Sequence, residues 1–139
     1  DIAMAISQQF IHSADNALSE VLKQPGFGHS CAGDDRLAEV LNTMEQALAT
    51  PVSITKLAGE SGISARRLQM LFAKHLLVSP KRYYLALRLN AARRLLIETA
   101  QSATEIAEAT GFSGSAGFSA SYRKAYGETP TQTRQAQMP

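Results

Sequence analysis

Within "SARRLQMLFAK", residues 64 to 74, Arg66, Gln69, Met70 and Ala73 recur at spacings of three and four, and Leu68, Leu71 and Phe72 fill the positions between them. On a helix this spacing puts the first group on one face and the apolar group on the other. The chemistry of the polar row is that of base edges. An Arg guanidinium fits guanine O6 and N7, a Gln amide fits adenine, and a Met side chain can touch a thymine methyl. Arg67 and Lys74 flank the row and could grip phosphates, as could the Ser64 hydroxyl at a positive helix start. None of this is the chemistry of a nucleophile or a general base.

A helix that displays such a row needs another to brace it. Residues 54 to 60 supply one, with Ser53 as cap and Ile54, Leu57 and Ala58 facing inward. Gly62 allows the tight turn, Ala58 is small enough to sit where the helices cross, and Ser64 caps the second helix, buried through Leu68, Leu71, Phe72 and His75. The unit therefore reads as helix, turn, helix.

It occurs twice. "LAGESGIS" (57 to 64) matches "IAEATGFS" (106 to 113) at an offset of 49, and Leu68 and Phe72 match Phe118 and Tyr122 at an offset of 50, so one extra residue follows the second turn. The outward row of the second copy is Gly114, Ser115, Ala116, Ser119 and Ala120, with Arg123 and Lys124 a turn later. Small side chains reach few base edges. This half is expected to contribute close backbone approach, shape readout and phosphate contacts, with Ser113, Ser119, Arg123 and Lys124 as the phosphate set.

Between the copies, "SPKRYYLALRLNAARRLLIET" has Ser79 as cap, Pro80 at the first helical position and a stripe of Leu85, Leu89, Ala92 and Leu96, and predicts a straight helix to about Glu98. Nineteen residues at 1.5 Å rise make a rod of roughly 28 Å, against about 34 Å between successive major-groove sites on one DNA face. Engaging both copies could bend the duplex, at a cost on the order of 1 to 6 kcal/mol. Before the first copy, Asp34 or Asp35 can cap a helix through "RLAEVLNTMEQAL", ended by "TP". After the second, "SATE" having opened its first helix as a capping box, Thr129 and Pro130 start a last short helix.

The whole chain supports a polyanionic partner. Residues 1 to 50 hold two basic against seven acidic side chains, a net −5, whereas residues 51 to 139 hold twelve against five, a net +7. Charge alone also fits an ordinary solvated surface; two helix pairs, an outward Arg/Gln row and the charge imbalance together favour DNA. The bland readings hold elsewhere: Arg93 and Arg94 as a solvated face or intramolecular partners, His75 as a core or boundary residue, and Tyr83 and Tyr84 as packing, although Lys81 or Arg82 beside them could reach a phosphate. Residues 2 to 22 read as an amphipathic helix that packs on protein, and "QPGFGHSCAGDD" reads as a linker. His29 and Cys31 within it make neither a metal site nor a nucleophile, so no cofactor and no enzyme are expected. A single cysteine and the lack of a membrane-length apolar run point to a cytoplasmic location, and the absence of an initiator Met suggests a piece of a longer chain.

From about residue 36 to residue 134 the sequence resembles the DNA-binding domain of the AraC/XylS family of bacterial transcription regulators, most closely in "IAEATGFSGSAGFSASYRKAYGETP". The resemblance implies an all-α, seven-helix domain over residues 34–139, with helix-turn-helix subdomains at 34–78 and 100–139 joined by a linker helix at 79–99. It implies base-reading positions at Arg66, Gln69 and Met70, and at Ser115, Ala116 and Ala120. Promoter DNA is the implied partner, with an activator's contact to RNA polymerase. Residues 1–33 resemble the end of a sensor half like that of the subgroup with an amidotransferase-like amino-terminal domain. Any oligomerisation would then run through that missing domain.

Overall fold

The computed structural model describes residues 35–137; the expected helix over 2 to 22, the linker with His29 and Cys31, and the possible cap Asp34 lie outside the described residues. Among the described residues seven helices follow one another: α1 (Asp35–Gln46), α2 (Ile54–Glu60), α3 (Ala65–Leu76), α4 (Pro80–Glu98), α5 (Ala103–Ala109), α6 (Ser115–Tyr126) and α7 (Pro130–Ala136). No strand occurs among the described residues.

Local signals set most of the boundaries. The Ser53, Ser64 and Ser79 hydroxyls accept the amides of Lys56, Arg67 and Arg82 at 3.2, 3.0 and 3.2 Å, starting α2, α3 and α4. Ser102 with Glu105, and Thr129 with Gln132, form reciprocal capping boxes at α5 and α7. Gly62 and Gly111, at φ 74° and 81°, turn the chain between the helices of each pair. There the Ile63 amide returns to the Ala58 carbonyl and the Phe112 amide to the Ala107 carbonyl, at 3.0 and 2.8 Å.

The repeat holds residue by residue. The two bracing helices are related by 49 positions and the two following helices by 50. It continues beyond the expected match: Leu77 and Gly127 both close their helices in the left-handed region, and Ser79-Pro80 and Thr129-Pro130 both start the next. The second half of α4 thus stands to α5 and α6 as α1 stands to α2 and α3.

Two expectations need correction. α1 ends at Gln46 rather than near Leu48: the Ala47 amide tightens onto the Met44 carbonyl, and the Ala47 carbonyl, whose helical donor would be the N–H that Pro51 lacks, is taken by the Tyr84 hydroxyl. And α4 has no single stripe. Leu89, Ala92 and Leu96 are buried and Leu85 is half-buried, but Tyr83, Tyr84, Ala86 and Leu87 are buried as well. A central helix gripped from both sides loses the one-faced pattern. One apolar cluster runs through both halves, from Leu37 and Met44 through Phe72 and Leu89 to Ile106, Phe118 and Tyr122.

Candidate nucleic-acid interface

α3 buries Leu68, Leu71, Phe72 and Leu76, while its neighbour His75 is half-buried at the boundary. This leaves Arg66, Arg67, Gln69, Met70, Ala73 and Lys74 exposed. Met70 is 56% exposed although it is a large apolar side chain. The Ser64 oxygen is occupied as the cap of α3, so only its hydroxyl proton remains for a phosphate.

α6 buries Phe118, Tyr122 and Ala125. Ala116, Gly117, Ala120, Arg123 and Lys124 are exposed, and Ser115 and Ser119 are half-buried, with Ser113 exposed in the turn before them. Under the offset of 50, Arg66 corresponds to Ala116, Gln69 to Ser119, Met70 to Ala120 and Lys74 to Lys124. Arg, Gln and Met in one unit are therefore Ala, Ser and Ala in the other. Neither α3 nor α6 holds an acidic residue, whereas α1, α2, α4 and α5 carry Asp35, Glu39, Glu45, Glu60, Glu98, Glu105 and Glu108. Both outward faces are therefore positive, although α4 also carries Lys81, Arg82, Arg88, Arg93 and Arg94 against Glu98, and α7 is acid-free as well.

Two features of α6 carry no signal in a helical pattern. Its start is capped by Gly114 with no side-chain hydrogen bond, unlike α2 to α5 and α7, so its first-turn amides have no side-chain acceptor. Gly114 and Gly117 also face open space, with nothing within 4 Å of where a Cβ would stand and no positive φ. The protein's own packing does not require glycine at either place.

Polar clips hold the units in place, and the sequence reading did not single them out. The Tyr84 hydroxyl accepts the Val52 amide at 3.1 Å and donates to the Ala47 carbonyl, tying the α1–α2 loop. Arg134, fifty positions on, donates to the carbonyls of Leu96, Thr99 and Gln101 at 3.2, 3.0 and 2.6 Å, tying the α4–α5 connection. Arg88 donates from Nε to Thr110 and from Nη2 to Gly111, at 2.8 and 2.7 Å, and lies 4.3 Å from the centroid of the Phe112 ring. Burial lowers the Arg88 pKa and raises those of Tyr122 and Tyr126. Arg93 is exposed, 5.2 Å from the Tyr126 ring centroid, which makes it an intramolecular partner; Arg94 is simply exposed.

No helix among the described residues is long and apolar enough to cross a membrane, and no group of three or more His, Cys, Asp or Glu there could hold a metal ion.

Two paired helices repeated about a shared rod, each pair presenting an acid-free face, define a tandem helix-turn-helix module. A family model for a helix-turn-helix domain matches residues 57–136. The chain belongs to the AraC-type helix-turn-helix transcriptional regulators. It is 36% identical to the regulator GbdR of Pseudomonas aeruginosa, over 99% of this chain and 37% of that protein. It is 30% identical to ArgR of the same species, over 96% of this chain and 41% of that one. The chain thus spans about two fifths of the length of these curated relatives. Among solved structures, an AraC-type regulator from Chromobacterium violaceum superposes with a TM-score of 0.70 at 39% identity, over 73% of this chain and 91% of that one. The DNA-binding domain of the global transcriptional factor AdpA, solved with a target DNA, does so with 0.70 at 26% identity, over 74% and 93%.

Proposed function

We propose that residues 34–139 are the DNA-reading part of a longer transcription regulator, with α3 and α6 entering adjacent major grooves of promoter DNA. The observation that carries this is the pairing of two exposed, acid-free helices on one core. The DNA complex of the AdpA domain, a protein with the same fold, supports it.

In this reading Arg66, Gln69 and Met70 read base edges. Ser115, Ala116 and Ala120 face the second groove with little beyond one hydroxyl and two methyl groups, so they define its shape more than its sequence. Ser64, Arg67 and Lys74 in the first unit, and Ser113, Ser119, Arg123 and Lys124 in the second, hold phosphates. At Gly114 and Gly117 the bare backbone lets a sugar-phosphate strand come close to the first-turn amides of α6. Residues 1–33 would be the end of a sensor domain, through which the whole regulator oligomerises. Contact with RNA polymerase would make it an activator, working in the cytoplasm at the nucleoid.

The test is binding of the 139-residue chain to duplex DNA as salt is varied. Affinity should fall linearly on a log–log plot, by about a thousandfold or more between 50 and 200 mM salt if six or more phosphates are held. Lys124→Ala should reduce that slope by about 1 on every sequence. Salt-independent binding, or none, would leave only a protein-binding helical module.

A further inference from the structure

Tyr84 and Arg88 stand one turn apart on α4 and reach in different directions along the chain. Tyr84 holds the α1–α2 loop of the first unit through Ala47 and Val52. Arg88 holds the α5–α6 turn of the second through the Thr110 and Gly111 carbonyls. Loop and turn meet. A Cβ on Gly111 would lie 2.4 Å from the Leu48 carbonyl oxygen and 2.7 and 2.8 Å from Cγ and Cδ of Pro51. Backbone therefore touches backbone across the two units, in addition to the apolar cluster that they share along the rod.

Gly62 supplies the internal control. It occupies the same place in the first turn, at φ 74° against 81°, yet nothing lies within 4 Å of its Cβ position. Positive φ explains a glycine at both turns. Only Gly111 has a second reason, the inter-unit contact.

We propose that this clasp, formed by Arg88 and the Gly111 turn against the Leu48–Pro51 loop, fixes the distance and rotational phase between α3 and α6, and so sets which spacing of two half-sites the protein accepts. The inference rests on the DNA-reading function proposed above. A rod of roughly 28 Å sets the separation and the shared apolar cluster seats both units on it, while the backbone contact of the clasp holds the rotation between them most tightly. On B-DNA each added base pair moves the second groove by about 3.4 Å and turns it by about 35°. A unit locked by the clasp cannot follow that step, whereas one released from it can. Arg88 and Gly111 are thus positioning residues, acting through the Thr110–Gly111 turn and the Leu48–Pro51 loop and standing outside the outward rows of α3 and α6.

The experiment has a DNA arm and a DNA-free arm. A preferred duplex is selected from a random pool by the 139-residue chain, and affinity is measured on versions with one or two base pairs added or removed between its two patches. The unaltered chain should lose about tenfold per base-pair change. Gly111→Ala and Arg88→Gln should bind the preferred spacing less well but show a spacing profile several-fold flatter, while Gly62→Ala, with the same backbone strain, keeps the steep one. Equal loss at every spacing in Gly111→Ala and Arg88→Gln, or a flat profile in the unaltered chain, would overturn the proposal. Thermal melts identify any variant that does not fold, and Arg88→Gln serves if Gly111→Ala fails.

In the DNA-free arm, spin labels at Ala73→Cys and Ala120→Cys, in a Cys31→Ser background, report the separation of α3 and α6. One narrow distance that broadens in Gly111→Ala and Arg88→Gln but not in Gly62→Ala supports the clasp even if no duplex is bound. Identical distributions in all four proteins would overturn it, whatever becomes of the DNA-reading function.

Discussion

The two helix-turn-helix units share a backbone but differ in what they bury and what they show. The first packs mainly aliphatic side chains, Leu57, Leu68, Leu71 and Leu76 around Phe72, and displays Arg66, Gln69 and Met70. The second packs rings. Phe112, Phe118, Tyr122 and Tyr126 follow one another at centroid distances of 5.3, 5.7 and 4.6 Å, and the face above them is Ser, Ala and Gly. Within the second core Tyr122 and Thr133 share a hydrogen bond of 2.8 Å, and Thr133 donates to Glu128, so α6 is anchored to α7 by a polar chain as well as by rings. A repeated scaffold can thus present two chemically different faces at once, because its core and its outer face vary independently.

Breaking the cores at equivalent positions should give the largest effects. Leu68→Ala should cost about 2 to 5 kcal/mol and Phe118→Ala about 3 to 5, measured by urea unfolding. Since one cluster runs through both units, each variant should still unfold in a single transition; two separated transitions would show that the units are independent.

Next come the displayed faces. Arg66→Ala should cost about 1 to 3 kcal/mol on the preferred duplex and relax preference at one base pair. Ser115→Ala should stay within about 0.5 kcal/mol. A larger loss from Ser115→Ala than from Arg66→Ala would reverse the roles given to the two units.

A third contrast lies where α3 and α6 end. Leu77 adopts φ 58° and is 82% exposed, whereas its counterpart Gly127 adopts φ 79° with no side chain to strain. Left-handed backbone costs a residue with a Cβ about 1 to 2 kcal/mol, and glycine loses about 0.5 to 1 in chain entropy. Leu77→Gly should therefore raise stability by about 0.5 to 1 kcal/mol, read as a higher Tm; a lower Tm would mean that Leu77 makes a stabilising contact despite its exposure.

The smallest effect concerns Gly117, an exposed glycine in the first turn of α6 without a packing reason. In a first turn the helix-propensity gain is smaller than in a helix interior, so Gly117→Ala should raise stability by less than about 0.5 kcal/mol while weakening DNA binding. If binding is unaffected, the DNA strand does not approach α6 at that point.

Much of this was legible in the sequence because it is written in local chemistry. Ser53, Ser64, Ser79 and the Ser102/Glu105 box announce helix starts, Gly62 and Gly111 announce turns, and Leu68 and Phe118 mark inner faces. The offset of 49 changing to 50 exposed the repeat and placed both outward rows. Hidden were contacts made by side chains onto distant main-chain carbonyls. Tyr84, Arg88 and Arg134 reach across more than twenty residues, and no periodicity records that. Aligning the repeat further would have paired Tyr84 with Arg134, although their different chemistry hides a shared task. α4 misled for a related reason: a helix buried on two sides shows no stripe, and the steps of four and three from Leu85 to Leu96 sample only one of them.

The most direct test of a strong reader joined to a weak one is the pattern of duplexes that the 139-residue chain selects from a random pool. Two patches about one helical turn apart are expected, with high sequence information under α3 and low information under α6. Equal information in both patches, or more in the α6 patch, would contradict the division of labour between the two units.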